Sequence, residues 1–458
     1  MIKFSDLKSG LLLRVTKIDE AFKMPAVLLN YNQVVLDSII QIKAQTSYYD
    51  EEAARRGQQC YKPTWYGQSP NSNKGLVTNA YVLPNAVEFE EISKATYDKA
   101  YEEAIAKQLA EGKLWIPTQT GHMVYTGSDP EIFVVDKRGI VIPAWEFLEA
   151  ENTPARRIDK LIPFWDGFQA EFNIDPGGCH AQRVDQVALQ LKKLLGLARA
   201  KFKDARLSPR AVLDIPPDVL QSVSDQHAGL GCSPSKNLYG IKPIQIENPR
   251  DLPFRFAGFH IHFQSTHDAI LPERIRALDR IAGIISVSLL QGLDDSRRRA
   301  YYGRAGEYRT PTHGLEWRVL SSTMLCHPIL VNLMFDIARL AQALPAGQYA
   351  HLWQVKGGDE RVQHIINNYD EVEARLVLKE NEPVFKSIIN SLYATSRGNN
   401  GTGETLVKKV ERLILVGCRE FIDPNDIEGN WHLNNKEKWT NHSQGKNESV
   451  ATLDLKGL

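Results

Sequence analysis

The run Gly258-Phe259-His260-Ile261-His262-Phe263 restricts this chain more than any other segment, because its spacing recurs twice elsewhere. In Asp129-Pro130-Glu131 and Glu316-Trp317-Arg318, as in the histidine pair, two polar residues stand at i and i+2 within apolar, β-branched or aromatic surroundings. Alternate side chains of a strand share one face, so each pair is predicted to point one way while its apolar neighbours point into a core. Three such strands make an antiparallel sheet with a surface of carboxylates and imidazoles. Carboxylate oxygens with an imidazole suit Mg2+ or Mn2+, and a nearby set of arginines suits phosphate. The pattern points to ATP-dependent chemistry carried on that sheet.

The rest of the composition sets bounds. A chain of 458 residues is expected to form two or three domains, and a hydrophobic content of 43% supports a sizeable core. Lys+Arg and Asp+Glu are both 55, so bulk charge gives no strong nucleic-acid signal. Cys60, Cys179, Cys232, Cys326 and Cys418 are odd in number, far apart and free of any CxxC, which reads as reduced thiols. The first residues, MIKFSDLKSG, lack a signal-peptide core, and no apolar stretch is long enough to span a membrane. A soluble cytoplasmic protein is expected.

Residues 1–118 differ in character from the remainder of the chain. Leu11–Val15 and Ala26–Leu29 read as short strands, Gly67–Asn73 as an exposed loop, and Tyr97–Glu111 as a charged helix stopped by Gly112. No catalytic pattern occurs there, so this part is expected to be an N-terminal accessory domain. Its stretch Tyr61-Lys62-Pro63-Thr64-Trp65-Tyr66-Gly67 carries aromatics suited to a bulky substrate, with an oligomerisation role as the rival expectation. From residue 119 to 431, strands at Glu131–Val135, Ala170–Ile174, Phe256–Phe263 and Leu315–Leu320 alternate with helices at Val184–Leu197, Ile275–Leu293 and Leu330–Leu344. Past Asp359 the chain reads as mostly helical, with a break at Gly398-Asn399-Asn400-Gly401. Without Rossmann glycines, this is an α+β arrangement: a mainly antiparallel, curved sheet backed by helices. Residues 432–458 are polar and read as a mobile tail.

Each motif also has a plainer reading. Gly127-Ser128-Asp129-Pro130 supplies turn chemistry, which would leave Glu131 solvated at a strand edge. A zinc site is the rival use of the histidines, with His267 and Cys232 as its nearest further ligands. The segment Arg297-Arg298-Arg299-Ala300-Tyr301-Tyr302-Gly303-Arg304-Ala305-Gly306-Glu307-Tyr308-Arg309 could be a solvated charged face. Its exclusive use of Arg, and its direct passage into the Glu316 strand, favour planar recognition of phosphate or carboxylate. No Walker A or kinase glycine loop is present, so an ATP site would belong to another class.

Four segments, in this order, are similar to the strands of glutamine synthetases: Asp129-Pro130-Glu131-Ile132-Phe133-Val134-Val135-Asp136 to their Glu-Pro-Glu strand, Gly167-Phe168-Gln169-Ala170-Glu171 to their Gly-Gln-Ala/Asn-Glu strand, Gly258-Phe259-His260-Ile261-His262 to their Gly-Met-His-Cys-His strand, and Leu315-Glu316-Trp317-Arg318 to their Glu-Val-Arg strand. Together they resemble the glutamine synthetase-like carboxylate-amine ligases, most closely the phage and bacterial group called COOH-NH2 ligases, type 2. The resemblance spans roughly residues 122–330. It implies Asp129, Glu131, Glu171, His260 and Glu316 as ligands of Mg2+ or Mn2+, His262 beside the nucleotide phosphates, and Arg318 beside the substrate carboxylate or the transferred phosphoryl group. Where glutamine synthetases place an arginine two residues before the last metal ligand, this chain has Gly314, and Arg304 or Arg309 is expected in that role. Asp166 is the nearest counterpart of their further acidic ligand. The implied reaction is phosphorylation of a carboxylate by ATP followed by attack of an amine, giving an amide. Rival expectations are a guanidino kinase-type phosphotransferase on the same fold, or a phage structural or interaction protein without turnover.

Overall fold

A computed structural model of the chain describes residues 2–19, 33–49, 61–71, 78–82, 84–110, 125–148, 162–177, 180–230, 235–242, 244, 246–264, 271–312, 314–343, 353–393 and 403–434. Its contacts divide the chain into two compact units, Met1–Pro117 with Pro383–Ser391, and Thr118–Glu382 with Leu392–Leu458. The expected strand at Ala26–Leu29, the break at 398–401 and most of the 432–458 tail lie outside the described residues.

The first unit contains a six-stranded sheet formed by β1 (Ile2–Lys3), β2 (Leu12–Ile18), β3 (Ile39–Tyr49), β4 (Tyr61–Ser69), β5 (Thr78–Val82) and β6 (Ala86–Glu91), in the order β1-β6-β2-β3-β4-β5. Leu13, Val15, Ile40, Ile42, Val82 and Phe89 alternate inward to form its core. Of the loop expected at Gly67–Asn73, Gly67–Ser69 is instead the end of β4, where a Cβ on Gly67 would collide with the Gln41 carbonyl of the neighbouring strand, Pro70 and Asn71 bend beyond it, and residues 72–73 lie outside the described residues. Trp65 packs against the core of this unit. A helix follows at Lys94–Ala110 with Tyr97 and Tyr101 buried.

The second unit combines helices with antiparallel sheet. A four-stranded sheet has the order β12-β8-β10-β9, with β8 Glu131–Val135, β9 Phe164–Asp166, β10 Gln169–Glu171 and β12 Arg206–Ser208. A six-stranded sheet has the order β11-β7-β16-β18-β17-β14, with β7 Thr126–Ser128, β11 Ile174–Gly177, β14 Lys236–Asn237, β16 Ile261–Gln264, β17 Glu307–Arg309 and β18 Gly314–Trp317. The pair β13 (Val212–Asp214) and β15 (Phe254–Phe256) stands apart. Two expected strands are thus divided. Ala170–Ile174 breaks between β10 and β11, and Phe256–Phe263 breaks between β15 and β16, because the chain passes from one sheet to another at each place.

Helices cover the apolar sides. His180–Lys201 buries Val184, Val187, Leu191, Leu194 and Ala198 at helical spacing, against β11, β12 and the helix Pro328–Ala343. Pro328 opens that second helix, where its missing N–H costs no hydrogen bond. The helix expected at Ile275–Leu293 is Leu271–Ala277 and Ile284–Leu289 with a π-helical segment, Leu278–Gly283, between them. Asp279 in that segment is fully buried and accepts from Trp317 Nε1, the Gly306 N–H and the Tyr239 hydroxyl. The π segment therefore ties the helix layer to β18 and to the turn before β17. Among the described residues, no helix is long and apolar enough to cross a membrane.

Candidate active site

The residues singled out by their i, i+2 spacing lie where the chain changes sheets. Asp129-Pro130 joins β7 of the six-stranded sheet to Glu131 at the head of β8 in the four-stranded sheet. Proline has no N–H to contribute to either ladder, which suits a crossing point. The Pro130 carbonyl accepts from Phe172 N at 3.2 Å, at the corresponding crossing after β10. Glu131 is fixed from both ends, since its N–H donates to the Gly258 carbonyl at 2.9 Å and its Oε2 accepts from the Gly258 N–H at 2.5 Å. Gly258 has no room for a side chain, because a Cβ there would lie 2.5 Å from His260 Nε2 and 3.0 Å from the Tyr302 hydroxyl.

Cross-strand register sorts the side chains. Ile261 stands opposite Ser128 and Trp317, and His262 stands opposite Gly127 and Glu316, so the apolar residues take one face and His262 with Glu316 the other. Arg309 on β17 is opposite Glu316 and joins that face. On the neighbouring sheet Glu171 is opposite Glu131. Two triads result, Asp129 with His262 and Glu316, and Glu131 with Asp166 and Glu171, each with ligand atoms within 4.8 Å of one another. Together they offer carboxylates and one imidazole, with no thiol, which is the donor set of Mg2+ or Mn2+. His267 and Cys232, the further ligands a zinc site would use, lie outside the described residues.

The charges show how strongly these groups interact. Burial pushes the Glu171 carboxyl well above its ordinary range, and Asp129, Asp166, Glu131 and Glu316 push it the same way. Burial would also raise Asp129, but His262 and His260 outweigh it and hold that carboxyl well below the usual range. His262 is depressed by burial, yet Asp129 and Glu316 carry its net shift upward. A crowd of buried carboxylates of this kind is relieved by a cation placed among them.

His260 and His262 both reach Asp129 Oδ1, from Nδ1 and Nε2 respectively, at 2.9 Å each. The second nitrogen of His260, Nε2, faces the Tyr302 hydroxyl. A carboxylate only accepts, so Nδ1 carries the proton and Nε2 accepts from Tyr302. Both ring nitrogens of His260 are thereby engaged, its Nδ1 also lying 3.6 Å from Glu316 Oε1, and His262 forms the triad with Asp129 and Glu316. Tyr302 also accepts from Arg318 Nη2 at 2.9 Å, and the guanidinium groups of Arg298 and Arg318 lie over its ring, 4.5 and 4.7 Å from the centroid. Arg318 Nε stands 2.9 Å from Glu316 Oε1, and its Nη1 donates to Ser235 Oγ at 2.8 Å. Arg309 Nη1 is 3.7 Å from the same Glu316 oxygen and is more exposed.

The other arginines of the run do structural work. Arg297 pairs with Asp295 and Asp214. Arg298 donates to the carbonyls of Val319 and Leu320, and Arg299 to Val319 and to Asp294. Arg304, expected beside the site, is buried against Glu307 at 3.0 Å and donates to the Lys242 carbonyl. The sequence pattern did not single out Tyr302 or Ser235. Tyr302 lies inside the arginine run, but nothing in its spacing marks it as the residue that links His260 to Arg318.

Residues 252–389 match the family model described as Phage phiEco32-like COOH.NH2 ligase-type 2. The matched segment holds His260, His262, Arg309, Glu316 and Arg318, and it supports the family that the four sequence motifs resemble, a carboxylate-amine ligase in general terms. No curated protein matches the chain. Among solved structures, the chain is similar to the crystal structure of a bifunctional glutathione synthetase from Pasteurella multocida, with 11% identity and a TM-score of 0.28 over 72% of this chain. The match covers 53% of that structure, so the chain spans about half its length.

Proposed function

We propose that this protein is an ATP- and Mg2+-dependent carboxylate-amine ligase with a glutamine synthetase-like sheet, forming an amide through an acyl phosphate. The observation that carries this reading is the pair of acidic triads on either side of the Asp129-Pro130-Glu131 crossing, with Arg318 and Arg309 against Glu316. Asp129, His262 and Glu316 would hold one divalent cation, and Glu131, Asp166 and Glu171 a second. Cations bound there supply charge neutralisation for phosphate oxygens. We take His262 as the imidazole ligand in place of His260, because it groups with Asp129 and Glu316 while the second nitrogen of His260 faces Tyr302. His260 instead orients Asp129.

Arg318 is held rigidly by Tyr302, Ser235 and Glu316, so its planar fork is in place before a substrate arrives. Arg318 and Arg309 stabilise the oxygens of the phosphoryl group as it passes from ATP to the substrate carboxylate. The amine lone pair then forms the C–N bond, the C–O bond to phosphate breaks, and the amine gives up a proton. Arg304, held by Glu307 and the Lys242 carbonyl, takes a supporting role in this reading.

The test is turnover of the purified protein with ATP, Mg2+ and mixed pools of amino acids and amines. ADP release should require both pools, with a product whose mass is the sum of two substrates less water. Glu316→Gln should abolish ADP release while leaving the far-ultraviolet circular dichroism spectrum unchanged. A phosphorylated product without an amide would favour a phosphotransferase, and full activity in Glu316→Gln would refute the assigned site.

A further inference from the structure

Gln169 opens β10 two residues before Glu171 and stands directly across the ladder from Asp166, so all three side chains share one face. It is 1% exposed, and among the described residues neither its Oε1 nor its Nε2 has a hydrogen-bond partner. A primary amide offers two donors and two acceptor positions, and burying them unmade opposes folding. Such a group is retained at a cost to the empty protein, which is intelligible if a ligand completes it.

The hairpin presenting Gln169 is closely specified. Gly167 has a φ of +63°, and a Cβ there would lie 3.0 Å from the Gly229 carbonyl oxygen and 3.7 Å from Gln169 Oε1. Farther along, Ser235 accepts from Arg318. Gly229 thus borders the Gln169 hairpin, and Ser235 the arginine that pairs with Glu316 of the first triad. Charge then distinguishes the parts of the site carried by the two sheets. Arg318 and Arg309 stand against Glu316, which suits the anionic reactants, phosphate and carboxylate. Gln169 stands beside Asp166 and Glu171, away from any guanidinium named above, and its neutral amide, an acceptor as well as a donor, suits the uncharged amine that attacks the acyl phosphate better than an anionic reactant.

The geometry points to Gln169 as the anchor of the amine substrate, its Oε1 accepting from the amine nitrogen and its Nε2 donating to an oxygen of the same molecule. The class of acceptor this selects is an amine with an oxygen acceptor a few atoms from its nitrogen, such as an amino alcohol or an amino-acid amide. Naming the ligand as the amine rests on the ligase reading, whereas the unmade hydrogen bonds of Gln169 do not.

Gln169→Met, which keeps the volume and removes the amide, tests both parts. In the full-length protein without substrates, the urea midpoint of the variant should rise. A fall would mean that the amide has a structural partner, and would overturn the proposal. Kinetics use ATP, Mg2+ and a pool of N-acetylated amino acids as carboxylates, with ethanolamine, glycinamide and methylamine as amine probes. The KM for the fastest of ethanolamine and glycinamide should rise by about 10-fold or more in the variant, the size of a polar group left without its hydrogen bond. The KM for ATP should stay unchanged. Equal amine KM values in the two proteins would overturn the assignment, as would methylamine serving as well as the oxygen-bearing probes. If the wild type releases no ADP with any pool, the ligase reading and the amine assignment fall together, while a raised urea midpoint would still establish an unsatisfied amide at Gln169.

Discussion

Exchange of Arg298 and of Arg309 to methionine separates the structural arginines from the working ones. The Arg298 guanidinium is fully buried and donates to Val319 O at 3.0 Å, Leu320 O at 2.8 Å and Arg318 O at 3.4 Å. Methionine fills a similar length with no donor. Val319 O would keep Arg299, and Leu320 O would keep the N–H of Phe259, so two of the three carbonyls are not orphaned. The loss is that of charge-assisted hydrogen bonds, roughly 6 kcal/mol in total at about 2 kcal/mol each. Against this stands relief from burying the cation, which together with Arg299 lowers the Arg298 pKa to about 10. At about 1.4 kcal/mol per pH unit, that relief is about 3 kcal/mol. The expected net destabilisation of Arg298→Met is therefore about 3 kcal/mol. Arg309, with a side chain 29% exposed and 3.7 Å from Glu316, should contribute less than about 1 kcal/mol. Urea unfolding without nucleotide measures both, read as midpoint shifts at constant m-value. Arg309→Met should be stable and inactive, and Arg298→Met unstable. Equal destabilisation by the two exchanges, or a shift below about 1 kcal/mol for Arg298→Met, would refute this division.

Mg2+ should raise the thermal midpoint of the wild type in a concentration-dependent way, because in the proposed reading it would bind only the folded triads, and Glu131→Gln and Glu171→Gln should each blunt that rise; an equal rise in both variants would place the cation elsewhere. Burial pushes the Asp279 carboxyl up to about 7, above its unfolded value of about 3.9, so the folded state holds the extra proton between those values. Its contribution is fully present below about pH 4 and is lost as pH rises through about 7, up to about 4 kcal/mol in all. The stability of the wild type relative to Asp279→Asn should therefore decline from pH 4 to pH 8 in urea titrations, and a difference independent of pH would show that Asp279 is ionised throughout.

Much of the site was legible because strand periodicity is strict. The i, i+2 pairs at 129–131 and 260–262, and Glu316 with Arg318, do converge on one neighbourhood. The spacing could not reveal that Asp129-Pro130, Phe172-Asn173 and Ala257–His260 are crossings between sheets rather than strand interiors. Periodicity records which face a residue takes, not which sheet it joins. For the same reason periodicity alone treats His260 and His262 alike, whereas the contact with Tyr302 distinguishes them. The arginine run misled in a different way. Guanidinium groups suited to phosphate are equally suited to backbone carbonyls, and Arg298 and Arg299 use theirs on Val319 and Leu320. Asp279 and its π segment were invisible, since the helical pattern of 275–293 reads continuously through them.

The acyl-phosphate route is tested most directly by following oxygen. A pool of amino acids labelled with 18O in their carboxylates is incubated with the protein, ATP, Mg2+ and the amine pool, and the released inorganic phosphate is analysed by mass spectrometry. If the carboxylate attacks the γ-phosphoryl group and the amine then displaces phosphate, one labelled oxygen leaves with each phosphate formed. Phosphate carrying one 18O in proportion to the amide produced is the predicted result. Amide formed with unlabelled phosphate, or ATP consumed with the label retained wholly in the carboxylate, would contradict the account.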